Sequence, residues 1–152
     1  MILVKEAGVY VNILNCRLKK YLAEVFKQHG VNLTAEQYLV MDTLWNEGTL
    51  TQQAIAFIIQ KDKNSVTQFV DNLEKKGLVT RSVAKEDRRV NNIVVTEKGM
   101  SLKDSTKQLA IDTMEKAIAG IPETDLQTFV AVLKKVCANI SDFGKDAEEL
   151  EL

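Results

Sequence analysis

A chain of 152 residues, 45% hydrophobic and 27% charged, has the size for one domain or one domain with an appended arm, and the composition of a globular protein. Its single Pro and seven Gly leave little room for long irregular loops. The apolar run Met1–Val4 meets Lys5 and Glu6 at once, too soon for a signal-peptide core or a bilayer span, so a cytoplasmic protein without a membrane partner is expected. Net charge is −1, which alone argues against a nucleic-acid partner, but the charge is unevenly spread. Residues 60–103 carry ten bases and six acids, a net of +4, whereas residues 104–152 carry five bases and ten acids, a net of −5. Cys16 and Cys137 are far apart and in no metal-ligand spacing, which argues against a disulfide framework. With His29 the only histidine, no phosphate-cradling Gly loop and no nucleophile turn, the chain is not expected to be an enzyme or to need a cofactor or metal.

Residues 3–28 have the period of one long helix. Val11, Leu14, Leu18, Leu22 and Val25 mark one apolar face, and Val9, Ile13 and Cys16 a second. A helix apolar on two sides must bury both, so one side is expected to meet another subunit. Gly30 is placed to end it. Thr34 with Gln37 reads as a capping box, and Leu33 with Tyr38 as a hydrophobic staple. The helix so started turns Leu39, Leu44 and Trp45 to a core and stops at Gly48. Thr51, with Leu50 against Ile55, starts a short helix that runs to about Gln60, and Asp62 caps the next, which ends at Gly77.

Three helices with short turns, the last two about three residues apart, have helix-turn-helix geometry. On the third, Val66, Phe69, Val70 and Leu73 share the buried face; Asn64, Thr67, Gln68, Asp71 and Lys75 lie opposite. Short amide and hydroxyl side chains on an outer face suit a DNA major groove. Leu78–Val83 and Val90–Thr96, rich in Val, Ile and Thr, read as a two-strand ribbon. The charged connection 84–89 holds no Gly, so a longer loop rather than a two-residue turn is expected at its tip. Thr96 caps a helix to about Ala119. A last helix follows Pro122 to about Phe143, with Leu126, Phe129, Val130, Leu133, Val136, Cys137 and Ile140 patterned as a helix–helix seam. Residues 147–152 form an acidic tail.

The fold class expected is mainly α with a small β-wing: a winged helix-turn-helix domain with long N- and C-terminal dimerisation helices. The expected boundaries are 1–30 for the N-terminal dimerisation helix, 31–100 for the DNA-binding domain, 101–146 for the C-terminal dimerisation helices and 147–152 for the tail.

Leu33-Thr34, Gln37, Leu50-Thr51, Asp62–Thr67, Val70–Arg81 with its Leu-Glu-Lys-Lys-Gly-Leu-Val core, Asp87-Arg88-Arg89 and Val95–Gly99 stand in a specific order and separation. Together they resemble the MarR family of bacterial transcription regulators across residues 33–99. The resemblance implies a homodimer held by the terminal helices, with two winged domains reading a pseudo-palindromic operator in double-stranded DNA. Two positions depart from the family pattern. Gln68 stands where Arg is frequent, which bears on base preference or phosphate grip, and Val95 replaces a frequent Leu.

By the same resemblance Arg88 and Arg89 sit at the wing, where one enters a narrow minor groove, with Asp87 fixing an arginine's direction. Asn64 and Gln68 have the amide geometry to pair with adenine. Ser65 and Thr67 are expected on phosphates or base edges, and Lys75 and Lys85 complete the expected DNA-binding set. Thr34 and Thr51 are read as caps first.

Relatives bind small aromatic or anionic effectors, and Trp45, Tyr38 and Phe57, expected in the core, are candidates to line such a pocket. The function expected is a sequence-specific repressor relieved by a small molecule. Two alternatives stand beside it. One is a redox-responsive repressor using Cys16, although in peroxide-sensing relatives the cysteine lies further upstream, nearer Tyr10; both cysteines are otherwise expected to be buried small hydrophobes. The other is a winged-helix module that docks a protein instead of DNA.

Overall fold

The computed structural model describes residues 2–83 and 85–141. The elements in chain order are α1 (Ile2–Gln28), α2 (Ala35–Glu47), β1 (Leu50–Thr51), α3 (Gln52–Ile59), α4 (Lys63–Lys75), β2 (Val79–Val83), β3 (Asn91–Val95), α5 (Glu97–Ser101), α6 (Lys103–Ala117) and α7 (Glu123–Asn139). The chain divides into two compact units between Ala117 and Ile118. The expected acidic tail lies outside the described residues, and α7 ends at Asn139 with Ile140 as its C-cap, short of the expected Phe143. Among the described residues no helix is long and apolar enough to cross a membrane.

Side-chain caps set the helix starts in the first unit. Thr34 Oγ1 accepts from Gln37 N at 3.1 Å while Gln37 Oε1 accepts from Thr34 N at 3.2 Å, closing the capping box. Thr51 Oγ1 accepts from Ala54 N at 3.1 Å, Asp62 Oδ1 from Ser65 N at 2.8 Å and Thr96 Oγ1 from Gly99 N at 3.1 Å. Each bond satisfies a helix N–H that has no partner of its own. Between α3 and α4 the chain turns at Gln60, whose φ of 56° is unusual for a residue with a side chain.

Phe26, Val40, Met41, Leu44, Trp45, Ile55, Val66, Val70, Leu73, Leu78, Val79 and Ile93 form one buried cluster. Val66, Val70 and Leu73 fix the roll of α4, and burying each is worth roughly 1.5–3 kcal/mol. With that stripe inside, the polar side of α4 faces out. Leu39, expected inside, is exposed; α2 turns Val40, Met41, Leu44 and Trp45 inward instead.

The wing has a third strand that the two-strand reading lacked. The sheet is antiparallel in the order β1-β3-β2, with Leu50 opposite Ile93, Arg81 opposite Ile93 on the other side, and Val83 opposite Asn91. β1 spans only two residues, too few to show a period.

The helix expected from Glu97 to Ala119 is broken at Leu102. The Gly99 carbonyl accepts from Trp45 Nε1 at 3.2 Å and from Leu102 N at 3.4 Å, a tighter turn than the α-helical one.

α1 packs on α6 and α2 through its C-terminal half, where Phe26 is buried and Leu18, Leu22 and Val25 are half-buried. Val9, Tyr10, Val11 and Leu14 are exposed, so the expected first apolar face is covered only in part by this chain. In the second unit, α7 buries no residue, and Phe129, Val130, Val136 and Ile140 of the expected seam are exposed.

Candidate nucleic-acid interface

α4 presents the amides of Asn64 and Gln68 and the amine of Lys75 exposed. Ser65 is half-buried against its own cap: its backbone N and its Oγ donate to the two Asp62 carboxylate oxygens, each at 2.8 Å. These bonds, the backbone one first, hold the Asp62 carboxyl below its ordinary range. Thr67 is half-buried as well. Its hydroxyl donates to the Lys63 carbonyl at 3.0 Å and accepts from Gln52 Nε2 at 3.1 Å.

The same face carries two acids, Asp71 and Glu74, which would repel a phosphate backbone if left bare. Arg81 on β2 pairs with both and offsets part of their charge, with Nη2 at 2.5 Å from Asp71 and Nη1 at 2.9 Å from Glu74. Its backbone N also donates to Glu74 Oε2 at 3.1 Å, and its Nε to Gln52 Oε1 at 3.2 Å. Arg81 and Gln52 were not among the sequence candidates. The signal available was the pair of acids one turn apart on a helix face otherwise suited to DNA.

At the wing tip Asp87 holds Arg89 through three contacts: the backbone N at 3.0 Å, Nε at 3.2 Å and Nη2 at 3.3 Å. These bonds, the side-chain one first, keep the Asp87 carboxyl below its ordinary range. The Arg89 side chain is 91% exposed, so the carboxylate steers the guanidinium without burying it. Lys85 and Arg88 are exposed on the same connection. The bond from Val90 N to the Asp87 carbonyl, 3.1 Å, closes the turn that carries both arginines.

Some bases of residues 60–103 also bond within the winged domain. Lys76 Nζ donates inward to the Asn32 carbonyl at 2.8 Å and to Gln37 Oε1 at 2.7 Å, and burial lowers its pKa. Lys98 Nζ donates to the Lys76 carbonyl at 2.9 Å. With Arg81 also committed, three of the ten bases brace the winged domain internally.

Trp45 and Tyr38, candidates for an effector pocket, are packed. Tyr38 lies edge-on to Phe26 at 5.4 Å between ring centres and 6.4 Å from Trp45. Phe57 is half-buried. Cys16 and Cys137, expected to be buried, are both exposed. His29 Nδ1 meets the Val25 carbonyl at 2.9 Å, at the end of α1. Among the described residues no group of three or more His, Cys, Asp or Glu side chains is arranged to hold a metal ion.

Residues 33–90 match the model of the MarR family. The HTH-type transcriptional regulator MhqR of Bacillus subtilis is 30% identical over 116 residues, covering 76% of this chain and 79% of the relative. The chain belongs to the MarR family. An organic hydroperoxide resistance transcriptional regulator of the same organism is 35% identical over 74 residues, 49% of this chain and 50% of the relative. A cysteine-to-serine variant of MarR from E. coli, solved with operator DNA, superposes with a TM-score of 0.80 at 22% identity, covering 88% of this chain and 94% of that one. This last likeness shows the fold. As a MarR-family protein the chain is a sequence-specific DNA-binding transcriptional regulator, in a family of regulators rather than enzymes.

Proposed function

We propose that the chain acts as a homodimeric repressor on a pseudo-palindromic operator and is released by a small aromatic or anionic effector. In this reading α4 enters the major groove, with Asn64 and Gln68 toward base edges. Lys75 and Lys85 neutralise phosphates, and Arg88 and Arg89 reach the flanking minor groove, oriented by Asp87.

The observation that carries the reading is the pairing of two features in one unit. One is a helix whose buried stripe forces its polar face outward; the other is a wing turn whose arginine is held outward by its own carboxylate. Dimerisation is supported within each unit separately. Val9, Tyr10 and Leu14 on α1, and Phe129, Val130, Val136 and Ile140 on α7, are exposed apolar side chains that a partner subunit would cover. The operator-bound E. coli MarR structure, by its likeness in fold, supports the docking of the winged domain on DNA.

Methylation protection on a bound operator tests this directly. The expected pattern is protection of guanine N7, in the major groove, in two patches about one helical turn (~34–36 Å) apart. Protection of adenine N3, in the minor groove, is expected to flank each patch. Protection confined to one groove, or a single unpaired patch, would contradict it.

A redox-responsive repressor is the second reading, favoured by the likeness to the hydroperoxide resistance regulator. Peroxide would then release the wild type from its operator and leave Cys16→Ser bound; release of both would remove Cys16 from the account.

A further inference from the structure

Four polar groups form a line whose hydrogen-bond direction is fixed at one end. Arg81 can only donate, so the Gln52 atom that meets its Nε at 3.2 Å is the amide oxygen. The amide nitrogen therefore points the other way and donates to Thr67 Oγ1 at 3.1 Å. A hydroxyl that accepts one bond still has one proton to place, and Thr67 places it on the Lys63 carbonyl at 3.0 Å. Arg81 is itself pinned by Asp71 and Glu74. The run from Arg81 through Gln52 and Thr67 to Lys63 leaves the Thr67 hydroxyl a lone pair, and no proton, for anything outside the protein.

We propose that Thr67 is a specificity-determining residue that accepts a hydrogen bond from the exocyclic amino group of adenine or cytosine, and that Gln52 is the residue that positions it to do so. The inference rests on the reading of α4 as the helix that enters the major groove. There, adenine N6 and cytosine N4 donate, whereas guanine O6 and N7 and thymine O4 accept. Phosphate oxygens also only accept. An acceptor-only hydroxyl set against any of these opposes lone pair to lone pair. The strand position under Thr67 thus takes A or C and disfavours G or T, and Thr67 does not serve as a phosphate anchor. Ser65 is in the same state, its proton committed to Asp62 Oδ2.

The test is operator selection from a randomised duplex library with the full chain. Affinities follow for the selected duplex carrying each of the four bases at every half-site position. Wild type is expected to prefer A or C over G or T about fivefold at one position of each half-site, the scale of one net hydrogen bond. Thr67→Val, close in shape, loses that preference at that position alone, and Thr67→Ser keeps it. Gln52→Met still binds the operator but shows a weaker preference there, because the Gln52 amide no longer positions the Thr67 hydroxyl.

Two results would overturn the proposal while the groove reading stood. One is Thr67→Val leaving every base preference intact while Asn64→Ala or Gln68→Ala alters one. The other is Thr67→Val weakening all duplexes equally with a shallower salt dependence, the mark of a phosphate contact. If none of the three positions changes any base preference, α4 does not read the groove and both fall together.

Discussion

Arg81 Nη2 lies 2.5 Å from Asp71 Oδ1, so the first long strand of the wing is ion-paired to the helix that carries the candidate reading residues. With Glu74 at 2.9 Å on the other guanidinium nitrogen, one cation answers two acids. Arg81→Met is expected to cost only about 1 kcal/mol of stability, since the acids are partly exposed and screened. Its effect on DNA affinity is expected to be broader, because two carboxylates would be bared toward phosphates. Lysine keeps the charge but not the fork, so Arg81→Lys falls between. Urea denaturation and DNA affinity measured on the same samples check this; unchanged affinity in Arg81→Met would remove the brace from the mechanism.

The wing makes a prediction that charge counting gets backwards. Arg89→Ala is expected to weaken binding to all duplexes and to flatten the salt dependence by about one unit of slope. Asp87→Ala removes a negative charge beside DNA, so simple electrostatics predicts tighter binding. The three Asp87 contacts to Arg89 predict weaker binding, because the guanidinium is no longer held in place before it docks. Anisotropy titrations of the two variants decide the matter.

Gln68 separates base reading from phosphate grip. If its amide pairs bidentately with adenine, Gln68→Ala costs ~1–3 kcal/mol on the matching duplex and little on one already mismatched there. A uniform loss across sequences would instead make it a backbone contact.

Gly99 has no room for a side chain. A Cβ there would stand 2.3 Å from the Leu78 carbonyl and 2.7 Å from Val95 Cγ1, while the Gly99 carbonyl accepts the Trp45 indole. Gly99→Ala is expected to destabilise the fold by about 1–3 kcal/mol or more, as overpacking does. It should also shift Trp45 fluorescence, since the indole bond must move. Equal melting temperatures for variant and wild type would contradict the packing described.

Tyr38 gives a pH dependence with a definite sign. Burial first, and the Asp42 charge second, push its phenol up from 10.0 to about 12. The folded state thus favours the neutral phenol, and Tyr38's contribution is complete below pH ~10 and lost as pH rises from there toward 12. Spectrophotometric titration is expected to show a phenolate step near pH 12 that Tyr38→Phe removes. Persistence of that step in the variant would assign it elsewhere.

What the sequence revealed was governed by range. The Thr34, Thr51, Asp62 and Thr96 caps act over three residues, and the α4 stripe over seven, so both are written in local spacing. The Asp87–Arg89 pair is two residues apart and equally legible. The β1 strand depends on where β3 arrives, 43 residues on from Leu50 to its partner Ile93, and two residues show no alternation. Beside the break at Leu102, the Trp45 bond to the Gly99 carbonyl spans 54 residues. The Gln52 bonds span 15 and 29 residues, so Thr67 and Arg81 showed their polarity in the sequence but not their partners. Composition suggested buried cysteines, yet their exposure depends on what covers α1 and α7.

The most direct measurement is fluorescence anisotropy of the full chain with the duplex upstream of its own gene, beside a scrambled duplex, at low and moderate salt. Tight binding to the native duplex over the scrambled one is expected, weakening steeply with salt as phosphates take back their counterions. Failure to bind either duplex at low salt would contradict it and leave the winged domain as a surface for docking a protein.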